Sequence, residues 1–190
     1  MQSSVNSFDH ILVEGNSAAA NADPLVYDMM AAFYTACSSF IAQNFGARKK
    51  KRILQTYLIC LFYSFITSLV LGVGIYLARY PFLYLFTSDK AVVEAGITRL
   101  SIMALSYSAS AFMDASIAAS RGLGKTAVPT FVVVMGSCVF RIIWIYTIFA
   151  YFHTIQSLYI LYVFSWGITA IAENIYFFHV YRHTLTGKTE

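Results

Sequence analysis

Long apolar runs limit what this chain can become more than any other feature. Four stretches exceed the roughly 18 predominantly apolar residues that suffice to cross a bilayer, all within 190 residues. Only 12% of the residues are charged and 58% are hydrophobic, where soluble domains run about 25% charged. The fold class expected is therefore all-α, a polytopic transmembrane helical bundle forming a single membrane domain over residues 1–190.

Turn and cap residues mark the helix ends. Residues 1–23 are polar and small, with neither a long apolar run nor a basic start, so no signal peptide is expected there. Asp23-Pro24 reads as a helix start, with Asp as N-cap and Pro at the first helical position. Full helices are expected near 24–45, 53–78, 95–119, 128–151 and 156–181. Residues 79–96 read as a re-entry segment, broken at Tyr80-Pro81 and capped again by Ser88-Asp89. On the first full helix Ala31, Thr35, Ser38, Ala42 and Gly46 form a stripe of small residues. Such a stripe packs on another helix or lines a cavity.

The net charge of +4 does not imply nucleic acid, because the basic residues sit at helix ends. Arg48, Lys49, Lys50, Lys51 and Arg52 form the strongest topological signal. If their loop is cytoplasmic, so are 121–127 and the C-terminal tail. Arg121, Lys125, Arg182 and Lys188 then join them inside, making nine of the thirteen basic residues. Arg79, Lys90 and Arg99 fall outside, and Arg141 is intramembrane. Tyr80, Tyr84, Tyr151, Tyr159 and Tyr181 suit interfacial aromatic belts. Membrane lipid is the implied surrounding.

Charge inside a bilayer is costly and marks a pathway or a partner. Asp114 ends a polar stripe with Ser106 and Ser110. Glu173 continues a line from Ser165 and Thr169, with Asn174 beside it. Helical rise places Asp114, Glu173 and Arg141 roughly 10, 13 and 18 Å from the cytoplasmic helix ends. An arginine at that depth can reach either carboxylate. The functional reading is a polar pathway whose acids bind a cation, a proton or a cationic substrate. The plainer reading is an ion pair that locks helices together, or an arginine that snorkels outward. Asp28 and Glu14 read as solvated near the outer interface, His179 as interfacial and His153 as part of an outer turn.

Other chemistry has little support. Cys37, Cys60 and Cys138 all lie in apolar helices, without metal-ligand spacing. Two histidines on opposite membrane sides make no metal site. Arg121-Gly122-Leu123-Gly124-Lys125 lacks the spacing and preceding strand of a phosphate loop. No nucleophile–base pair has a water-accessible setting, so the chain does not read as an enzyme, and no cofactor is implied.

Several segments resemble, in order, the MATE (multidrug and toxic-compound extrusion) transporters. Gln43-Asn44-Phe45-Gly46-Ala47 with its basic residues is similar to that family's helix-end motif. Leu85-Phe86-Thr87-Ser88-Asp89 and Val92-Val93-Glu94-Ala95-Gly96 resemble an outer loop of its C-terminal half. Ser120-Arg121-Gly122-Leu123-Gly124 with Pro129 resembles an inner loop, with Ser120 in place of the usual leucine. Gly136-Ser137-Cys138-Val139-Phe140-Arg141-Ile142 resembles the penultimate helix.

The resemblance implies one lobe, the C-terminal one, of a two-lobed twelve-helix transporter. Residues 1–10 would be a partial helix, the end of the seventh, and the full helices the eighth to twelfth. A partner N-terminal lobe would be missing. The implied function is alternating-access export of amphipathic, often cationic, compounds against inward Na+ or H+. The implied place is a bacterial plasma membrane, multi-pass, with the C-terminus cytoplasmic. In some members an acidic coupling residue lies about a turn further out than Asp114, where this chain has Ser110. Met30, Tyr34 and Tyr107 are candidates for lining a cavity and meeting cations with their side chains. A flippase of the same superfamily, moving a lipid-linked substrate, would want several cavity arginines, and only Arg141 is available. A non-transporting gene fragment or structural membrane subunit is the alternative of another class.

Overall fold

A computed structural model describes residues 9–152 and 154–184. Among these residues the chain is helical with short turns and holds no strand. The helices are α1 (His10–Ala20), α2 (Ala22–Gly46), α3 (Lys50–Leu77), α4 (Arg79–Tyr84), α5 (Lys90–Gly122), α6 (Ala127–Phe152) and α7 (Ile155–His183). The partial helix expected at 1–10 falls almost wholly outside the described residues, as does His153.

The first helix starts earlier than the sequence suggested. Asp9, not Asp23, is the cap, its carboxylate accepting from the His10 amide at 2.8 Å. α1 and α2 run on as one 37-residue rod from His10 to Gly46. Pro24 is tolerated at the third position of α2, where an amide needs no helical partner. The Asn21 side-chain amide covers the carbonyls of Ser17 and Ala18 at the junction, at 3.2 and 3.1 Å. The small residues of α1 are packing residues. A Cβ on Gly15 would lie 2.7 Å from the Val92 carbonyl oxygen, so only glycine lets α1 lie this close to α5.

α5 is the central element, packing against α1, α2, α3 and α7. Asp89 caps it as anticipated, accepting from the Ala91 amide at 2.8 Å. It begins at Lys90 rather than near 95, and α4 occupies much of the expected re-entry segment. α5 bends by 43° between its Lys90–Ala104 and Ser106–Gly122 halves. Ser101 and Ser106 donate to the carbonyls of Ile97 and Ile102, four residues back. Hydroxyls that bond their own helix in this way favour a bend.

α6 contains two π-helical turns, Met135–Val139 and Ile145–Phe149. Ser165 on α7 donates to the Gly136 carbonyl in the first of them, at 2.8 Å. A neighbouring helix thus satisfies backbone that the wider turn leaves poorly bonded. The outer face of α6 exposes Phe131, Ile142, Ile143 and Tyr146, which suits hydrocarbon rather than water.

Four rods, His10–Gly46, α3, α6 and α7, are each long and apolar enough to cross a membrane, and bent α5 makes a possible fifth span. Lys50 ties the basic loop to the end of α7, donating to the Arg182 carbonyl at 2.8 Å and lying over the Tyr181 ring. The basic segments 46–52, 121–127 and 179–184 therefore meet at one end of the bundle. Two positions differ from expectation. Tyr159 is buried at 2% exposure rather than interfacial, and Arg99 is buried at 6% rather than standing with the outside charges.

Candidate functional site

Two cavities run one after the other along the face between α2 and α5. The first holds about 380 Å³ and is walled by Asp23, Tyr27, Met30, Tyr107, Ser110 and Asp114, with Tyr162 and Trp166 from α7. The second holds about 480 Å³ and is walled by Tyr34, Thr35, Ser38, Asp114, Ala118 and Arg121. Tyr27 and Asp114 line both, so Asp114 stands where they meet. α2 and α5 run in the same direction here. The path therefore leads from Asp23 at one end to Arg121 at the other.

Helical spacing explains the convergence. Arg99, Tyr107, Ser110 and Asp114 fall within a sector of about 80° on α5, taking 3.6 residues per turn. The small-residue stripe on α2 supplies the facing wall. Ala31, Thr35 and Ser38 line the second cavity. Ser38 also marks the close crossing, where a Cβ on Gly122 would sit 2.7 Å from its carbonyl oxygen. Gly46, the end of the stripe, meets nothing within 4 Å.

The Asp23 end is closed by a network that the sequence does not disclose. Arg99 Nη2 donates to Asp23 Oδ2, and its Nη1 donates to Asn16 Oδ1 at 2.7 Å. Tyr107 Oη donates to the other Asp23 oxygen at 2.5 Å. Asp23 thus neutralises a buried arginine and still faces the first cavity. The angular alignment of Arg99 with Asp114 was a usable signal. Counting Arg99 among the outside charges of the helix expected at 95–119, with Asp23 as a helix cap, hides it. Asp28, expected to be solvated, also lines this cavity.

Five of the anticipated residues are gathered here: Asp114, Ser110, Met30, Tyr34 and Tyr107. The Ser110 hydroxyl is satisfied by the Tyr107 carbonyl at 2.8 Å. The Tyr34 hydroxyl is buried and makes no hydrogen bond among the described residues.

The other three lie elsewhere. Asn174 is a bracket: it accepts from Tyr57 at 2.7 Å and donates to the Ala170 and Phe112 carbonyls at 2.8 and 3.3 Å. It lines a separate apolar cavity with Phe65 and Phe112. Glu173 is 0% exposed, and neither of its oxygens has a hydrogen-bond partner among the described residues. Arg141 reaches neither carboxylate, contrary to the depth argument. Its Nε donates to Ser165 at 3.1 Å, and its guanidinium lies 4.5 Å from the centre of the Tyr162 ring. α6 packs on α7, and Ser165 and Tyr162 intercept the side chain.

With this geometry in place, comparison with known proteins settles the family. The sequence matches the MatE family profile over residues 2–147. The chain belongs to the MatE family. No curated protein sequence gives a significant match. The fold is similar to that of the Vibrio cholerae MATE transporter VcmN, in a crystal structure of its bent form, at a TM-score of 0.84 and 19% sequence identity. That match covers 96% of this MatE chain and 41% of VcmN. The chain therefore has the fold of one lobe, and spans well under half the length of the transporter it resembles.

Proposed function

We propose that this MatE chain forms one wall of a secondary-active exporter. Its substrates are amphipathic, mostly cationic molecules, exchanged for Na+ or H+ in a bacterial plasma membrane. Asp114 carries the reading, because it is the acid at the junction of two cavities. The first cavity suits an apolar cation, since Met30, Met103, Tyr107, Tyr162 and Trp166 present soft and aromatic surface around it. A carboxylate in that setting attracts whichever cation arrives, coupling ion or substrate. Competition for one acid is the simplest basis for exchange. A second six-helix lobe would supply the facing wall.

The test is efflux of a cationic dye from proteoliposomes holding this chain with a complementary lobe, under an imposed sodium or proton gradient. Asp114→Asn is expected to reduce gradient-driven efflux at least ~100-fold, toward passive leak, as loss of an acid–base group does elsewhere. Coupled efflux that survives this change intact would remove Asp114 from the mechanism. Among the described residues Arg141 stands apart from both cavities and Arg121 alone among the arginines lines the second, whereas movement of a lipid-linked anion would want several, which supports export of cations.

A further inference from the structure

A further recess lies at the basic end of the bundle, away from the cavities of Asp114 and from the apolar one beside Asn174. It opens between the end of α2, the α5–α6 turn and the last two turns of α7. Phe45, Leu123, Lys125, Tyr176, His179 and His183 wall a volume of about 800 Å³, within the roughly 300–1,000 Å³ of small-ligand sites.

Its chemistry is one-sided. Lys125 contributes an ammonium, and each histidine offers at least one N–H donor even when neutral. The His179 and His183 rings lie side by side, 4.8 Å between centres. Among the described residues no carboxylate lines the recess, and segments 46–52, 121–127 and 179–184 contain no Asp or Glu. A helix C-terminus would ordinarily repel an anion. Here three of its last four carbonyls are already engaged. Lys50 holds the Arg182 carbonyl at 2.8 Å, while the Thr184 amide holds those of Val180 and Tyr181 at 2.8 and 3.2 Å. Phe45, Leu123, Val180 and the Tyr176 ring make the remaining walls largely apolar, and the Thr184 hydroxyl there is spent on the Val180 carbonyl at 2.8 Å. Below them on α7, Ile175 is 66% exposed toward the hydrocarbon.

We propose that this recess binds the phosphate headgroup of an anionic phospholipid. Lys125, His179 and His183 donate to the phosphate oxygens, and Phe45, Leu123 and Tyr176 bear on the glycerol and upper acyl chains. Basic crevices between transmembrane helices select anionic lipids for this reason. The occupant is a lipid rather than free phosphate, because the donors stand at a helix end beside lipid-facing surface and Phe45, Leu123 and Val180 make much of the wall apolar.

The full chain, purified in detergent, is incubated with phosphatidylglycerol or phosphatidylcholine and examined by native mass spectrometry. Phosphatidylglycerol is expected to be retained and phosphatidylcholine lost. Lys125→Gln weakens retention about fivefold, the equivalent of ~1 kcal/mol per basic residue, and His179→Ala with His183→Ala weakens it further. All three side chains are exposed, so these variants fold. Lys49→Gln removes the same charge outside the recess and leaves retention unchanged. Equal retention of both lipids, or an equal loss with Lys49→Gln, overturns the site. Full displacement of phosphatidylglycerol by inorganic phosphate overturns the lipid assignment.

Discussion

At the scale of single residues, Arg99 shows how a membrane protein tolerates a buried cation. Its guanidinium is shared between Asn16 and Asp23, while Asp23 also accepts from Tyr107. Removing one member of a buried pair costs about 3–5 kcal/mol, since the survivor keeps its charge without a partner. Arg99→Met should therefore destabilise the solubilised chain by ~3 kcal/mol. Asp23→Asn in the same chain should recover part of that loss. A double-mutant cycle of denaturant or thermal unfolding measures the coupling. Additive losses would mean that the pair does not hold α1, α2 and α5 together. Asp23 is the more informative partner, because it also walls the first cavity. Conservative replacement there tests stability and ligand access in one variant.

At the scale of helices, close approach is set by a few glycines, and two of them on α3 make opposite predictions. A Cβ on Gly72 would lie 2.2 Å from the Ala104 carbonyl oxygen on α5, while one on Gly74 meets nothing within 4 Å. Gly72→Ala must push α3 away from the bend of α5, at a cost of about 1–3 kcal/mol. Gly74→Ala gains up to ~1 kcal/mol of helix propensity with nothing to displace. Unfolding of the two variants side by side distinguishes them, and equal effects would contradict the packing described. Why α3 carries these glycines could not be read from its own sequence, because the reason lies on another helix. The same holds for α1. Its polarity argued against a span, but Gly15, Ala18 and Ala19 are the small residues that let it sit on α5. What the sequence does disclose is local: apolar length for α3, α6 and α7, the Asp89 cap, and the stripe of Ser110 and Asp114. Pairing between helices is non-local. That is why depth along the helix points Arg141 toward the carboxylates rather than to Ser165 and Tyr162, and gives no partner for Arg99.

At the scale of the molecule, orientation and architecture rest on the same asymmetry. Among the described residues Arg48, Lys49, Lys50, Lys51, Arg52, Arg121, Lys125 and Arg182 share one end of the bundle, and with Arg99 buried only Arg79 and Lys90 stand at the other. Moving Arg99 out of the outer group strengthens the bias, since fewer positive charges oppose it. Retention of positive loops on the cytoplasmic side predicts that the proposed lipid recess and the Arg121 mouth of the cavities face the cytoplasm, with the Asp23 end outward. Cysteine labelling checks this directly. In a chain with Cys37, Cys60 and Cys138 replaced by alanine, Ser88→Cys and Thr126→Cys each put one thiol on an exposed turn at opposite ends. A membrane-impermeant maleimide added to intact cells is expected to modify the thiol at 88 and not the one at 126. The pattern should invert after lysis only in the sense that 126 becomes reactive too. Labelling at 126 in intact cells would reverse the chain, and with it the direction in which a cation bound at Asp114 could be released. Neutralising Arg48 through Arg52 together should make position 126 partly reactive from outside, because those five residues carry most of the charge that sets the orientation.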